Sequence, residues 1–305
     1  MPDKPLDVTA LGELLIDFTG NGISDQGNPL YEANPGGAPG NVLAMLGKLG
    51  RKTAFIGKTG DDGFGRQLKK ALEESGIRAD GLVFDKDVHT TLALVHTLEG
   101  GQRDFSFYRD PGADMNLKPE EVDEQLIRDA KIFHFGTLSL TDDPVRMATY
   151  KAMRTAEESG LIRSFDPNIR PPLWKSMDEA KTQTDWGFRH CDVLKIADNE
   201  LVWFTGTDDY DEGIRYLRKR YPISLICLSM GDQGSVAYYR DLRVQAQAFI
   251  RPDTIETTGA GDTFCACVLD GVLRYGLDQL NEERLRKSCP FLDGKSWERA
   301  SPPCF

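Results

Sequence analysis

Glu256-Thr-Thr-Gly-Ala-Gly-Asp-Thr-Phe264 brings together two things that phosphoryl transfer requires. Gly259, Ala260 and Gly261 are small enough to let backbone N–H groups approach an anion. Asp262 follows where a helix carrying Phe264, Val268 and Val272 is expected to begin. A helix start attracts phosphate because its first N–H groups lack partners and its dipole is positive there. A carboxylate in that turn can orient a substrate hydroxyl and take its proton while the amides stabilise charge on the transferring oxygens. The same nine residues would also make an ordinary loop with Asp262 as a helix cap, so the choice falls to the rest of the chain.

A second glycine cluster lies far upstream, Gly36-Gly37-Ala-Pro-Gly-Asn41, followed by a helical pattern and then Gly57, Gly60, Asp61, Asp62, Gly63 and Gly65. Together the two clusters resemble the signatures of the ribokinase-like (PfkB) family of carbohydrate kinases. Gly-Gly-Ala-Pro-x-Asn-Val at 36–42, Phe-Tyr-Arg-x-Pro-Gly-Ala-Asp at 107–114 and Phe-Asp-Pro-Asn-x-Arg-x-x-Leu-Trp at 165–174 resemble bacterial fructokinases in particular. The resemblance covers about residues 6–285. Two other nucleotide-binding designs fail on spacing. Gly57-Lys58-Thr59 ends like a P-loop, but the glycine that motif requires would fall at Lys52. A dinucleotide fold would need Gly-x-Gly-x-x-Gly where the chain reads Ala10-Leu-Gly-Glu-Leu14.

The elements that must position these residues alternate in type. Short apolar runs at 8–11, 53–56, 132–135, 162–165, 193–196 and 225–229 read as buried strands, separated by helical patterns such as 41–49, 64–74 and 144–158. That alternation implies an α/β fold with a mostly parallel sheet covered by helices. Two stretches, 14–32 and 90–108, read instead as strands that need another surface. The resemblance implies a three-layer ribokinase-like fold in one domain over 1–305, with a small β lid from about 14–34 and 88–112 that excludes water from the sugar site.

Composition sets bounds. A chain of 305 residues with 40% hydrophobic content can bury a large core. Its 37 basic and 48 acidic side chains leave a net charge of −11, which argues against a general nucleic-acid or anionic-membrane surface. The first twenty residues are interrupted by charges and lack a signal-peptide core, and no later run reaches membrane-spanning length. Six cysteines and four histidines show no metal spacing, so reduced thiols and a cytoplasmic setting are expected.

The resemblance assigns roles to matching positions. Asp262 is the base, with Gly259, Ala260 and Gly261 as the anion hole. Asp17, Gly36, Gly37, Asn41, Arg109 and Arg170 face the sugar, Arg109 projecting from the lid toward sugar or phosphate. Asn168, Lys195, Ser229, Gly231, Gly234 and Thr258 line the ATP side, and Glu200 organises Mg²⁺ through water. Residue by residue, plainer readings stand beside these: Asp17 as a solvent-facing charge, Asn41 and Glu200 as helix caps, Arg109 as a loop arginine. Glu256 stands where relatives place aspartate near a monovalent cation, which leaves a K⁺ effect open. His134, inside an apolar strand, is expected to be a core residue.

The last stretch, 287–305, departs from the resemblance. It carries Pro290, Pro302 and Pro303 and lacks helical periodicity, resembling a shifted reading frame or a replaced terminus. The resemblance implies that a helical end there closes the adenine pocket, so its replacement is expected to raise the ATP requirement. Three functions follow: a fructokinase using ATP, a kinase of the same family for another sugar such as 2-keto-3-deoxygluconate, and a non-catalytic sugar-binding regulator. A homodimer through the lid is also implied by the resemblance.

Overall fold

The computed structural model describes residues 4–97, 103–248 and 259–288. Strand β1 (Val8–Leu11) leads into a hairpin, β2 (Leu15–Ile23) and β3 (Pro29–Gly36), and then helix α1 (Ala38–Lys48). Strand β4 (Thr53–Gly60), α2 (Gly63–Glu74) and β5 (Ile77–Asp85) complete a first unit before a second hairpin, β6 (Leu92–Thr97) and β7 (Arg103–Tyr108). There follow α3 (Glu124–Arg128), β8 (Ile132–Gly136), α4 (Val145–Glu158), β9 (Ile162–Asp166) and α5 (Met177–Arg189). Next come β10 (Val193–Ala197), α6 (Asp198–Thr205), α7 (Tyr210–Arg220) and β11 (Leu225–Ser229). The described chain closes with β12 (Ser235–Tyr239), β13 (Leu242–Ala246), α8 (Ala260–Tyr275) and α9 (Glu282–Ser288).

All six apolar runs read from the sequence fall in strands of one nine-stranded sheet, ordered β13-β12-β11-β10-β9-β8-β1-β4-β5. The strands from β11 through β5 in that order are parallel, as buried βαβ units require; β12 and β13 are antiparallel at one edge. The chain reverses its direction of travel across the sheet beside β1, and ligands in such sheets gather beyond the carboxyl ends of the strands near that point.

Alternation along each strand sorts side chains onto two faces. Phe133, Phe135, Phe165, Leu194 and Ile196 enter the core beneath α4 to α7, whereas Val8, Ala10, Ile132 and Val193 face α1 and α8. Because Lys195 shares a face with Val193, and Asp166 lies opposite Phe165, the polar side chains of β9 and β10 are brought under α8. Both cores are well supplied with fully buried aromatics and aliphatics, each contributing roughly 1.5–3 kcal/mol.

The stretches expected to need another surface form a second, four-stranded sheet, β3-β2-β6-β7. Its two hairpins are joined by the parallel β2–β6 pair, with Asp17 opposite Ala93. The second hairpin is pinned at its base: Asp62 caps α2 through Gly65 N–H and also accepts from Thr90 N–H and Thr90 Oγ1. The expected terminal departure at 287–305 lies outside the described residues except for its first two positions, which end α9.

Candidate active site

Gly259 begins α8 with a φ of 78°, a left-handed conformation that glycine adopts without strain. Its carbonyl accepts from Thr263 N–H at 2.8 Å, closing the first helical turn. The amides of Ala260, Gly261 and Asp262 therefore sit where a helix offers donors without intrahelical acceptors. Phe264, Val268 and Val272 are buried along the helix as the periodicity requires.

Asp262 is 8% exposed. Its Oδ2 accepts a 2.8 Å hydrogen bond from Asn41 Nδ2, near the start of α1. The two glycine-rich motifs, 221 positions apart, are thus joined by a single side-chain contact. The carboxylate requires a donor, which fixes the amide orientation. Asn41 Oδ1 is then a buried acceptor without a hydrogen-bond partner, a fit for a hydroxyl. Burial raises the Asp262 pKa; the Asn41 hydrogen bond and the charges of Lys195 and Arg170 oppose that rise.

Lys195 lies directly beneath the glycine turn. A side chain placed on Gly261 would begin 3.2 Å from Lys195 Nζ. The ammonium is buried and paired with Asp166 Oδ2 at 3.0 Å. Burial pulls the lysine pKa down, but Asp166, Glu200 and Asp262 outweigh it and hold the ammonium charged. Burial pushes Asp166 up, as do Glu200 and Asp262, while Lys195 restrains it.

Glu200 caps α6, its Oε2 accepting from Ala197 N–H at 2.9 Å and its Oε1 from Ile169 N–H at 2.7 Å. The capping role read from the sequence is therefore real. It also ties the loop after β9 to the end of β10. In that loop Asn168 has a φ of 44° and its Oδ1 accepts from Arg170 Nη1 at 2.7 Å. Each Glu200 oxygen keeps a lone pair, which suits Mg²⁺ held through water. Among the described residues no three His, Cys, Asp or Glu side chains form a direct metal cluster.

On the other side of Asp262, the backbone at Gly36 and Gly37 passes close to neighbouring atoms. A side chain on Gly36 would begin 2.3 Å from Asp17 Oδ2, and one on Gly37, with φ 120°, would meet the Glu13 carbonyl at 2.5 Å. Asp17 therefore lies against the Gly36 backbone, partly buried beside the turn into α1. Arg109 is placed differently from its expected projection out of the small sheet. It is buried, donating from Nε to Asp114 at 2.8 Å, from Nη1 to Thr141 at 3.1 Å and from Nη2 to the Leu138 carbonyl at 3.0 Å. A carboxylate within reach in a low-dielectric setting holds the guanidinium more firmly than solvent can.

Glu13, Asp166 and Thr137 escaped the sequence reading. Glu13 is 4% exposed and its Oε1 accepts from Ala38 N–H, the start of α1. Burial pushes its pKa up to about 7. Its position after Gly12 at the end of the first strand was the available signal. Thr137 Oγ1 donates to the Pro167 carbonyl at 2.5 Å, fixing the Asn168 loop.

Ser229 ends β11, and Gly231 and Gly234 both have positive φ in the turn that follows. A side chain on Gly234 would begin 2.1 Å from the Ala246 carbonyl. Thr258 and Glu256 lie outside the described residues. His134 is a core histidine, with Nδ1 3.0 Å from Ser164 Oγ and its pKa driven down by burial to about 3.

The family model for "pfkB family carbohydrate kinase" matches residues 6–291. Probable fructokinase-4 of Arabidopsis thaliana is 39% identical over 282 residues, covering 92% of this chain and 86% of its own length. Among solved structures, fructokinase from Vibrio cholerae O395 in its fructose-, ADP- and calcium-bound form superposes with a TM-score of 0.83 at 26% identity, covering 95% of this chain and 91% of that one. Fructokinase from Xylella fastidiosa with bound ATP gives 0.80 at 28% identity, covering 96% and 88%.

Proposed function

The chain belongs to the pfkB family of carbohydrate kinases, and we propose that it transfers the γ-phosphoryl group of ATP to the 6-hydroxyl of fructose. The observation that carries this reading is the Asn41–Asp262 hydrogen bond, which brings the base beside the Gly36-Gly37 turn. Fructose would lie against Asp17, Gly36, Gly37 and Asn41, with Arg170 beside Asp262. Its 6-hydroxyl gives a proton to Asp262 as its oxygen bonds the γ-phosphorus, and the bond from that phosphorus to the β–γ bridging oxygen breaks to release ADP. Most of the catalysis is then positioning and charge stabilisation. The amides of Gly259, Ala260 and Gly261 and the Lys195 ammonium meet the charge on the transferring oxygens.

The ATP side would be lined by Asn168, Lys195, Ser229, Gly231, Gly234 and Thr258. Mg²⁺, organised through water by Glu200, would neutralise phosphate charge. A K⁺ requirement would involve Glu256. The small sheet would act as the lid that keeps water out. Its outward Ile23 and Tyr108, 71% and 65% exposed, suit a homodimer formed through the lids. A cytoplasmic setting fits the buried free thiols; no helix among the described residues is long and apolar enough to cross a membrane.

Fructokinases stand among the relatives at about 39% identity, which favours a neutral ketohexose over 2-keto-3-deoxygluconate. The test is ADP release with ATP and Mg²⁺ across fructose, ribose, 2-keto-3-deoxygluconate and no sugar, with Asp262→Ala as control. Fructose-dependent turnover lost in the variant supports the proposal. Turnover confined to the acid sugar overturns the substrate assignment, and fructose binding without turnover supports a regulatory protein.

A further inference from the structure

Helices α1 and α8 run side by side in the same direction, and two polar clamps join them. At one end Asn41 Nδ2 donates to Asp262 Oδ2 at 2.8 Å. Just past the other end of α1, Arg51 Nε donates to Asp270 Oδ1 at 2.7 Å. Asp262 and Asp270 lie on neighbouring faces of one helix about two turns apart, so the clamps together fix both the axial position and the rotation of α8 against α1. Asp270 is 12% exposed at its side chain, so the second clamp is shielded from solvent.

Resting on the fructokinase reading, we propose that Asn41 is a positioning residue for the base, and that Arg51–Asp270 sets the helix register that brings Asn41 and Asp262 together. A neutral amide suits this role. A lysine or arginine in direct contact would neutralise the carboxylate and weaken it as a base, whereas an amide donor orients one oxygen and adds no net charge. With Oδ2 held by Asn41, Oδ1 is the oxygen that takes the proton. Asn41 Oδ1, buried without a partner, is the acceptor for a sugar hydroxyl. One side chain therefore couples sugar occupancy to the alignment of the base. The charged groups facing Asp262 are Lys195 of β10, Arg170 after β9 and Asp166 of β9, and none of them makes this contact.

The experiment compares wild type, Asn41→Ala, Asn41→Asp, Arg51→Met and Arg51→Lys in two ways. Steady-state kinetics with fructose across pH should show kcat falling tenfold or more in Asn41→Ala, with the acidic limb of the kcat profile moved up by about half a unit to one unit. In Asn41→Asp the limb moves further, because a second carboxylate faces the first. Arg51→Met should give the same signature in weaker form, with fructose KM changed less than kcat, and Arg51→Lys should restore part of it. A rise in fructose KM in Asn41→Ala with kcat and limb unmoved overturns the proposal for Asn41; an unmoved kcat and limb in Arg51→Met overturns the register role.

The second readout needs no turnover. A ¹³C NMR titration of the Asp262 carboxyl, identified by its loss in Asp262→Asn, is run on ligand-free wild type and on Arg51→Met and Asn41→Ala. An upward shift of the Asp262 titration on loss of either clamp supports the proposal, and superimposable titrations overturn it. Absence of turnover in wild type would defeat the fructokinase reading while leaving this comparison decisive. Should Asn41→Ala not fold, Arg51→Met carries the test.

Discussion

The Lys195 ammonium is 3.0 Å from the Asp166 carboxylate and lies under the Gly261 turn, so one buried ion pair supports the floor of the candidate anion hole. Removing the cation alone leaves Asp166 buried beside Asp262. Lys195→Met should lose about 3–5 kcal/mol of stability and at least a hundredfold in kcat/KM. Its acidic limb should move up, since Lys195 helps to keep Asp262 ionised. Lys195→Met/Asp166→Leu should regain most of the stability and none of the activity; thermal melts and fructose kinetics read the two effects separately.

Glu13 makes stability depend on pH. Its folded pKa is about 7 against an ordinary 4.5, so the folded protein holds a proton that the unfolded chain has released. Stability from this group is fully present below about pH 4.5 and is lost as pH rises through 7, by about 3 kcal/mol. Glu13→Gln keeps an acceptor for Ala38 N–H and abolishes that slope. Denaturant melts at pH 5 and pH 8 should show the variant gaining on wild type only at the higher pH.

The adjacent glycines should fail differently. Gly37→Ala puts a methyl group against the Glu13 carbonyl at a φ of 120°, and backbone strain of this kind costs about 2 kcal/mol or more. Gly36→Ala meets the movable Asp17 carboxylate instead. The first substitution should lower Tm by several degrees. The second should leave Tm closer to wild type while raising fructose KM at least tenfold.

Arg109 is expected to act as a strut. Arg109→Met strands Asp114 in a buried site and should cost about 3–5 kcal/mol. Arg109→Met/Asp114→Leu should recover most of that loss, and fructose turnover should recover with it. Persistent loss of turnover in a stable double variant would return Arg109 to the substrate contacts.

Apolar runs of four or five residues gave away the central strands because a parallel sheet is buried on both faces and cannot hide its pattern. The edge strand Ser235–Tyr239 carries a comparable apolar run, Val236-Ala-Tyr-Tyr239, but its partner Leu242–Ala246 alternates polar and apolar residues and does not stand out as one. Glycine spacing located the Gly36-Gly37 turn, where Gly37 meets the Glu13 carbonyl, and the start of α8, where Gly259 has a positive φ. The partners of Asn41 and Arg109 were not legible. Each depends on a side chain brought from a distant or turned segment, Asp262 in one case and Asp114 in the other, and residue type does not encode which carboxylate wins. Glu13 and Asp166 were hidden for a related reason: a carboxylate at a strand end looks the same in sequence whether it is solvated or buried.

The parallel pairing of β2 with β6 has a consequence for the order of assembly. Between those strands the chain runs through α1, β4, α2 and β5, and an isolated two-stranded hairpin is marginal in water. Neither half of the small sheet is expected to persist until that intervening unit has folded and closed a long loop. The proposed lid is therefore expected to form after that unit and to open before it. In pulse-labelling hydrogen exchange, the amides of β2 and β6 should gain protection after those of β1 and β4. Simultaneous protection of all four strands would instead show the two sheets folding as one unit.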